Sequence, residues 1–277
     1  MKIQTELVKA KDAIKACNFL LITAGAGIGV DSGLPDFRGP QGFWKCYPPM
    51  EKLGLSFQEM SNPRSFYKDP SFAWGFYGHR YELYKNTTPH KGFEILKSWT
   101  KNKEYFIFTS NVDGHFQNSG FPEEKIVECH GSIHYLQCLE YYKCTLDIWP
   151  MYPIVYDKTS FRAKEPLPHC VHCKGLARPN ILMFGDSQWI SDRVDQQFQR
   201  LSEAVNKKKW KITVIEIGAG ETVSTVRIFG ENFIHRDKAT FVRINPDKPF
   251  DKNDSIIHVQ MKGLEAIETL DKLLLEN

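Results

Sequence analysis

The sequence predicts an α/β fold in which a doubly wound parallel sheet carries a smaller inserted module. Short apolar runs recur along the chain, and most are continuous instead of alternating with polar residues. That is the pattern of strands buried on both faces of a parallel sheet. Amphipathic segments stand at the two ends, as helices covering such a sheet would. Two stretches rich in aromatics, prolines or cysteines interrupt the rhythm.

Taken in order, residues 9–16 read as a helix and 18–23 (NFLLIT) as the first strand. Residues 39–88 form the first insert, rich in aromatics, Pro and Gly, with helical periodicity over 63–84. Strands follow at 105–109 (YFIFT) and 125–128 (KIVE). Residues 132–177 form the second insert, with prolines at 150, 153, 166 and 168 and no long apolar run. Further strands read at 180–184 (NILMF), 212–217 (ITVIEI), 240–244 (TFVRI) and 255–259 (SIIHV). A closing helix over 263–275 puts Leu264, Ile267, Leu270 and Leu274 on one face. Neither insert can bury much core alone. The two, 39–88 and 132–177, are therefore expected to form one satellite module against a main domain of 1–38, 89–131 and 178–277.

Composition narrows the function classes. The 36 Lys and Arg against 33 Asp and Glu leave a formal charge of +3 on 277 residues, which gives wholesale nucleic-acid binding no electrostatic support. The one charge run, 207–211 (KKKWK), reads as a solvated helix end. Apolar runs fall far short of the ~20 residues that span a bilayer. Residues 1–15 carry charges throughout and do not read as a secretory signal. Seven cysteines, an odd number, then argue for a reducing compartment, and the chain is expected to be cytoplasmic.

Four constellations can carry chemistry. The first, Gly25-Ala26-Gly27-Ile28-Gly29, directly follows a strand, where a turn of glycines lets backbone approach a diphosphate. Its spacing is not that of a hydride-transfer fingerprint, because Val30 stands where a third glycine would be. The loop runs on into Asp36-Phe37-Arg38, which offers an acceptor, an apolar wall and a phosphate-pairing fork, or else an ordinary turn with a surface ion pair. The second, Ser110-Asn111-Val112-Asp113, ends the strand 105–109, at the rim where open α/β sheets bind ligands. Asn111 and Asp113 there suit an amide-bearing ligand, or cap a turn. The third is Cys129-His130-Gly131. His130 can act as a general base at that rim, whereas Cys129, its neighbour along a strand, faces the other way and cannot pair with it. The fourth, Cys138-x5-Cys144-x25-Cys170-x2-Cys173, has the pattern of a closed tetrathiolate zinc site, with His134, His169 and His172 as possible substitutes for one thiol.

Together these motifs resemble the sirtuin (Sir2-like) family of NAD-dependent protein deacylases, of bacterial type. The run from Gly25 through Ser32-Gly33-Leu34-Pro35-Asp36-Phe37-Arg38-Gly39 is similar to that family's NAD loop, and Thr109-Ser110-Asn111-Val112-Asp113-Gly114 to its nicotinamide pocket. His130-Gly131 is similar to its catalytic His-Gly pair, and the four cysteines to its structural zinc site. The resemblance implies a Rossmann-like NAD-binding domain with a zinc-binding and helical module. It implies His130 and Asn111 as catalytic residues. It implies NAD contacts from Gly25, Ala26, Gly27, Asp36, Phe37, Arg38, Ser110, Asn111, Asp113, Gly218, Ala219, Gly220 and Asn245. The segment 178–186 is similar to the strand that pairs with substrate peptide, which assigns Phe184 and Gly185 to acylated-lysine protein substrates. Tyr77 and Arg80 are similar to a Tyr-x-x-Arg pair with which some sirtuins grip succinyl or malonyl lysine. The chain departs from the family pattern at Gly29, usually Ser, at Ser110, usually Gln, and at Gly218-Ala219-Gly220, usually Gly-Thr-Ser. The expected reaction removes an acyl group from lysine at the expense of NAD, and gives nicotinamide and O-acyl-ADP-ribose. ADP-ribosyl transfer to protein and NAD hydrolysis are the alternative outcomes, and NAD sensing without turnover is a third.

Overall fold

The computed structural model describes residues 2–36, 39–247 and 253–276; Phe37 and Arg38 lie outside the described residues. In chain order the strands are β1 (Phe19–Ala24), β2 (Glu104–Thr109), β3 (Ile126–Glu128), β4 (Gly131–Cys138), β5 (Ile148–Pro150), β6 (Tyr156–Asp157), β7 (Arg162–Ala163), β8 (Ala177–Ile181), β9 (Ile212–Ile217), β10 (Thr240–Ile244) and β11 (Ile256–Val259). Six of them form one sheet in the order β11-β10-β9-β1-β2-β3, every pair parallel. From β1 the chain winds outward through β2 and β3, then returns to β9 and winds the other way. The seam between β1 and β9 is therefore the switch point of a doubly wound sheet, where such folds open a crevice at the carboxyl ends of the strands.

Burial on both faces explains the continuous apolar runs. All six residues of β1 and all six of β9 are buried. One face, with Leu20, Ile22, Ala24, Ile215 and Ile217, packs against the helices Lys2–Ala16, Gly92–Trp99 and Gly263–Leu275 through Leu7, Ile14, Phe93, Leu96, Ile267 and Leu270. The other, with Phe19, Leu21, Phe108 and Val214, packs against Asp192–Asn206 and Thr225–Asp237 through Leu201, Val205, Val226 and Phe233. Among the described residues no helix is long and apolar enough to cross a membrane.

The two inserts share one core. Phe43, Tyr47, Phe66, Trp74, Phe76 and Tyr77 from the first pack with Leu136, Leu139, Met151, Phe161 and Leu167 from the second. The expected helix over 63–84 is two helices, Arg64–Lys68 and Pro70–Asn86. Asp69 breaks it, because its carboxylate accepts the Phe72 amide and Pro70 takes the first helical position.

One strand sits elsewhere than expected. The run read at 180–184 as part of the parallel sheet overlaps β8, which starts three positions earlier at Ala177 and pairs antiparallel with β4 in a separate sheet β5-β4-β8. Its polar residues explain the placement. Arg178 is fully buried in an ion pair with Asp186 at 2.7 Å, and the Asn180 amide donates to Gln137 Oε1 at 3.0 Å and to the Ile190 carbonyl at 2.9 Å. These partners exist only in the smaller sheet and the loop after β8.

The long helix of the first insert meets the second insert at Gly75, where a Cβ would collide with the Phe161 carbonyl, and at Gly78, where it would stand 3.0 Å from Ile154. Because backbone cannot yield as a side-chain tip can, Gly75→Ala is expected to lower unfolding stability by about 3 kcal/mol or more. A urea melt followed by tryptophan fluorescence checks it, and a change within experimental error would contradict this packing.

Candidate active site

Strand register builds the rim of the crevice. Ala24 of β1 pairs with Thr109 of β2 on one side and Ile217 of β9 on the other. Thr109 pairs with Glu128, and Ile217 with Ile244. The next residues, Gly25, Ser110, Cys129, Gly218 and Asn245, therefore leave the sheet at one level, although they are far apart along the chain. A single cleft of about 1280 Å³ gathers Gly25, Ala26, Gly27, Asp36, Ser110, Asn111, Asp113, His130, Phe184, Gly185, Gly218, Ala219, Gly220 and Asn245. Among the described residues, every cofactor-binding or catalytic residue singled out from the sequence lines it.

Gly25 and Gly27 of the first turn line the cleft and also meet a second constraint. A Cβ on Gly25 would stand 2.8 Å from the Gly218 carbonyl oxygen and the Ala219 Cα, and one on Gly27 would stand 2.7 Å from the Gly218 Cα. The turns after β1 and β9 thus pack backbone against backbone. The Gly27 amide donates to the Gly218 carbonyl at 3.0 Å, and Gly218 itself has φ +62°. After Gly25 the chain makes a short 3₁₀ helix, Ala26–Ser32, tied down where the Ser32 hydroxyl accepts the His90 amide and the Asp31 carboxylate accepts the Leu264 amide, both at 2.9 Å. Gly29 lies buried against Leu34, off the cleft wall, so its departure from the family pattern does not alter the cleft lining. Ser110 does line it.

On the next turn, the Thr109 hydroxyl donates to the Ala24 carbonyl at 3.0 Å and accepts the Asn111 amide at 3.0 Å. The Asn111 side chain donates to the Gly25 carbonyl at 3.1 Å, which aligns the two loops. Asp113 is held by the His115 amide on its carboxylate and by His134 on its carbonyl, both at 2.9 Å. His130 places Nε2 3.3 Å from the Thr225 hydroxyl. Burial lowers its pKa below the usual histidine value, and a hydrogen bond with the Ser110 backbone opposes that shift without cancelling it. Cys129, by contrast, packs into the sheet core, where burial pushes its thiol well up, so it is no nucleophile.

At the other wall the Arg80 guanidinium donates through Nε and Nη2 to the Tyr84 hydroxyl, at 3.1 and 2.9 Å. It lies 5.4–5.7 Å from the ring centres of Phe57, Phe76, Tyr77 and Tyr84. Arg80 and Tyr84 line the cleft, but Tyr77 does not. Its side chain is fully buried and its hydroxyl is shared with Ser61 Oγ at 3.1 Å. Of the sequence pair, Tyr77 is thus a buried ring beneath the guanidinium, Arg80 is the buried cation whose edge reaches the cleft wall, and Tyr84 is the phenol beside it. Sequence reasoning missed Tyr84, Thr225 and Arg227. For Tyr84 the signal was its position one helical turn after Arg80.

The thiols of Cys138, Cys144, Cys170 and Cys173 lie within 4.8 Å of one another. Cys138 and Cys173 are 3.7 Å apart at sulfur, and Cys144 and Cys170 3.6 Å. Disulfide sulfurs would be at about 2 Å, whereas four thiolates about 2.3 Å from a central zinc lie about 3.8 Å apart. The loose x5 spacing closes because a 3₁₀ turn, Tyr141–Lys143, brings Cys144 back. The His172 and Gly175 amides donate to the Cys170 and Cys173 sulfurs at 3.4 Å. Among the described residues the group that could hold a metal is these four thiols, without His134, His169 or His172. This closed set would hold zinc structurally. Metal analysis of purified protein is expected to give one zinc per chain, and Cys170→Ser to lose it together with cooperative unfolding; a protein that melts unchanged after chelation would contradict a structural role.

Comparison with known proteins places this geometry. A model of the Sir2 family matches residues 25–225. An NAD-dependent protein deacylase of Aquifex aeolicus is 33% identical over 191 residues, covering 68% of this chain and 69% of its own. A namesake from Leptospira interrogans is 25% identical over 256 residues, 92% of each chain. Among solved structures, a Sir2 homologue in complex with NAD superposes with a TM-score of 0.75 at 22% identity, over 97% of this chain and 94% of that one. The family match spans well over half the chain and covers the glycine turn, the Asn111 loop, His130 and the four cysteines: the chain belongs to the Sir2 family.

Proposed function

We propose that this chain is an NAD-dependent protein-lysine deacylase, which removes the acyl group from acylated lysines of protein substrates and gives nicotinamide, O-acyl-ADP-ribose and free lysine. The observation that carries this reading is the continuity of the cleft, which joins the paired glycine turns, Asn111 and His130 to the Arg80 wall in one space. The residues present fit the dinucleotide. The glycine turns stand at the switch point of the sheet, and Gly220 has open space where a side chain would project. Bound there, NAD supplies an electrophilic ribose carbon with nicotinamide as its leaving group.

The chain's own groups then have distinct tasks. Backbone at 25–27 and 218–220 walls the diphosphate, and Asn245 faces the adenosine end. Asn111 and Asp113 hold the nicotinamide amide, with Asn111 already oriented by Gly25. The Phe184 amide is held by the Ser61 carbonyl at 2.9 Å and the Leu182 amide by the His130 carbonyl at 2.9 Å, which fixes the Phe184-Gly185 edge against which a substrate peptide extends. His130 Nε2, which lies beside the Thr225 hydroxyl and can accept a proton when the ring is neutral, takes one from a ribose hydroxyl presented in the cleft. The zinc centre takes no part in the chemistry. All seven cysteines are unpaired, which suits the reducing cytoplasm.

At the acyl end, Arg80 with Tyr84 favours acyl chains that end in a carboxylate, such as succinyl or malonyl. Buried among aromatic rings, the guanidinium pairs with a carboxylate more strongly than an exposed one would. Tyr77 contributes as the ring beneath it.

Three results test this reading. With NAD and an acylated peptide, His130→Ala is expected to lose about 10²–10⁴-fold in lysine release; near-parental turnover would remove His130 as the base. Because the neutral ring is the working form and burial lowers its pKa, kcat is expected to rise with pH through a midpoint below the ordinary histidine value of about 6.5. A midpoint above it would contradict the assignment. Arg80→Met is expected to lower kcat/KM for a succinyl-lysine peptide at least about tenfold relative to the acetyl peptide. An equal effect on both would confine Arg80 to packing.

A further inference from the structure

The loop after β9 carries no hydroxyl or amide side chain at Gly218, Ala219 or Gly220, yet it is the surface on which Gly25 and Gly27 rest. Its shape is held from outside. The Ala219 carbonyl accepts Asn245 Nδ2 at 3.1 Å, and it also accepts Arg227 Nε and Nη2 at 3.3 and 3.1 Å. The third nitrogen of the same guanidinium, Nη1, lies 3.6 Å from the Glu221 carboxylate. Arg227 reaches this position from the first turn of the helix Thr225–Asp237, with a side chain only 15% exposed. It borders both the main cleft and a small adjoining cavity bounded by Asn245 and Gln260.

A planar fork is the group that can hold a carbonyl and a carboxylate at once. The carboxylate matters because Glu221 also lines the cleft that must accept the two negative charges of a dinucleotide. We propose that Arg227 is a positioning residue for NAD: it locks the Ala219 carbonyl so that the 218–220 loop keeps its shape, and it neutralises Glu221 beside the bound diphosphate. The inference rests on the NAD-binding part of the proposed function and is independent of which acyl group is removed.

The test is calorimetric binding of ADP-ribose and of NAD to the parent protein and to Arg227→Met, Arg227→Lys and Glu221→Gln, with kcat at saturating NAD and unliganded melting measured alongside. Arg227→Met keeps the apolar stem and loses the fork. It is expected to weaken ADP-ribose binding and raise the NAD KM by about tenfold, with the melt, the peptide KM and the saturated kcat unchanged. Lysine at that position is expected to recover only part of the loss, because one ammonium cannot serve both oxygens. Glu221→Gln is expected to bind at least as tightly as the parent. Undiminished binding by Arg227→Met, full recovery by Arg227→Lys, or a loss confined to kcat would overturn the proposal. A parent protein that does not bind ADP-ribose would overturn the NAD reading itself, whereas intact parental binding with an insensitive Arg227 would overturn this inference alone.

Discussion

The site depends on a contact between two stretches of backbone. Gly25 and Gly27 lie against Gly218 so closely that a single Cβ on either would stand 2.7–2.8 Å from main-chain atoms. That contact closes the seam between β1 and β9, from which the sheet winds in opposite directions. The crevice exists because the loops part just outside this seam. Once the two turns are pressed together, register does the rest. Ser110, Asn245 and the residue before His130 all leave their strands at the same level. The Asn111 carboxamide then ties the second loop to the first through the Gly25 carbonyl.

How much of this could be read from the sequence follows from which forces leave a local mark. Burial on two faces leaves one, so β1, β2, β9 and β10 were legible as apolar runs to within about a residue of their ends. β8 was displaced because its buried residues include Arg178 and Asn180, whose partners, Asp186, Gln137 and Ile190, are set by tertiary structure. β4 left no apolar run, since Gln137 and Ser132 are buried in it by hydrogen bonding and close packing. The cleft residues were legible as motifs, but the reasons for some were not. Gly27 faces the cleft, as its motif suggests, but the motif does not show that it also makes room for another loop. Tyr77 was read beside Arg80 as a second polar head, and its hydroxyl belongs to Ser61. Tyr84 stands one helical turn after Arg80, a local spacing that allows its contact with the guanidinium, whereas no local pattern announces that Arg227 holds the Ala219 carbonyl.

The satellite core is a second requirement. The aromatic helices of the first insert and the thiol-bearing second insert bury a common set of side chains, and neither has a core without the other. This shared core fixes the wall opposite the glycine turns, including the Arg80 cage and the loop shaped by the buried Arg178–Asp186 pair. The thiol cluster lies in this second insert, bound to the cleft wall through β4 and β8. A closed set of four sulfur ligands has no open position for substrate, so its contribution is to hold that wall in place.

The most direct test of the central claim is the mass of the acyl-bearing product formed from NAD and an acylated-lysine peptide by the intact protein. Joint assembly of the nucleotide turns, His130 and the acyl wall in one cleft predicts that the acyl group leaves the peptide and appears on ADP-ribose, with one nicotinamide released for each free lysine. Free ADP-ribose formed without peptide, or ADP-ribose attached to the peptide, would contradict it.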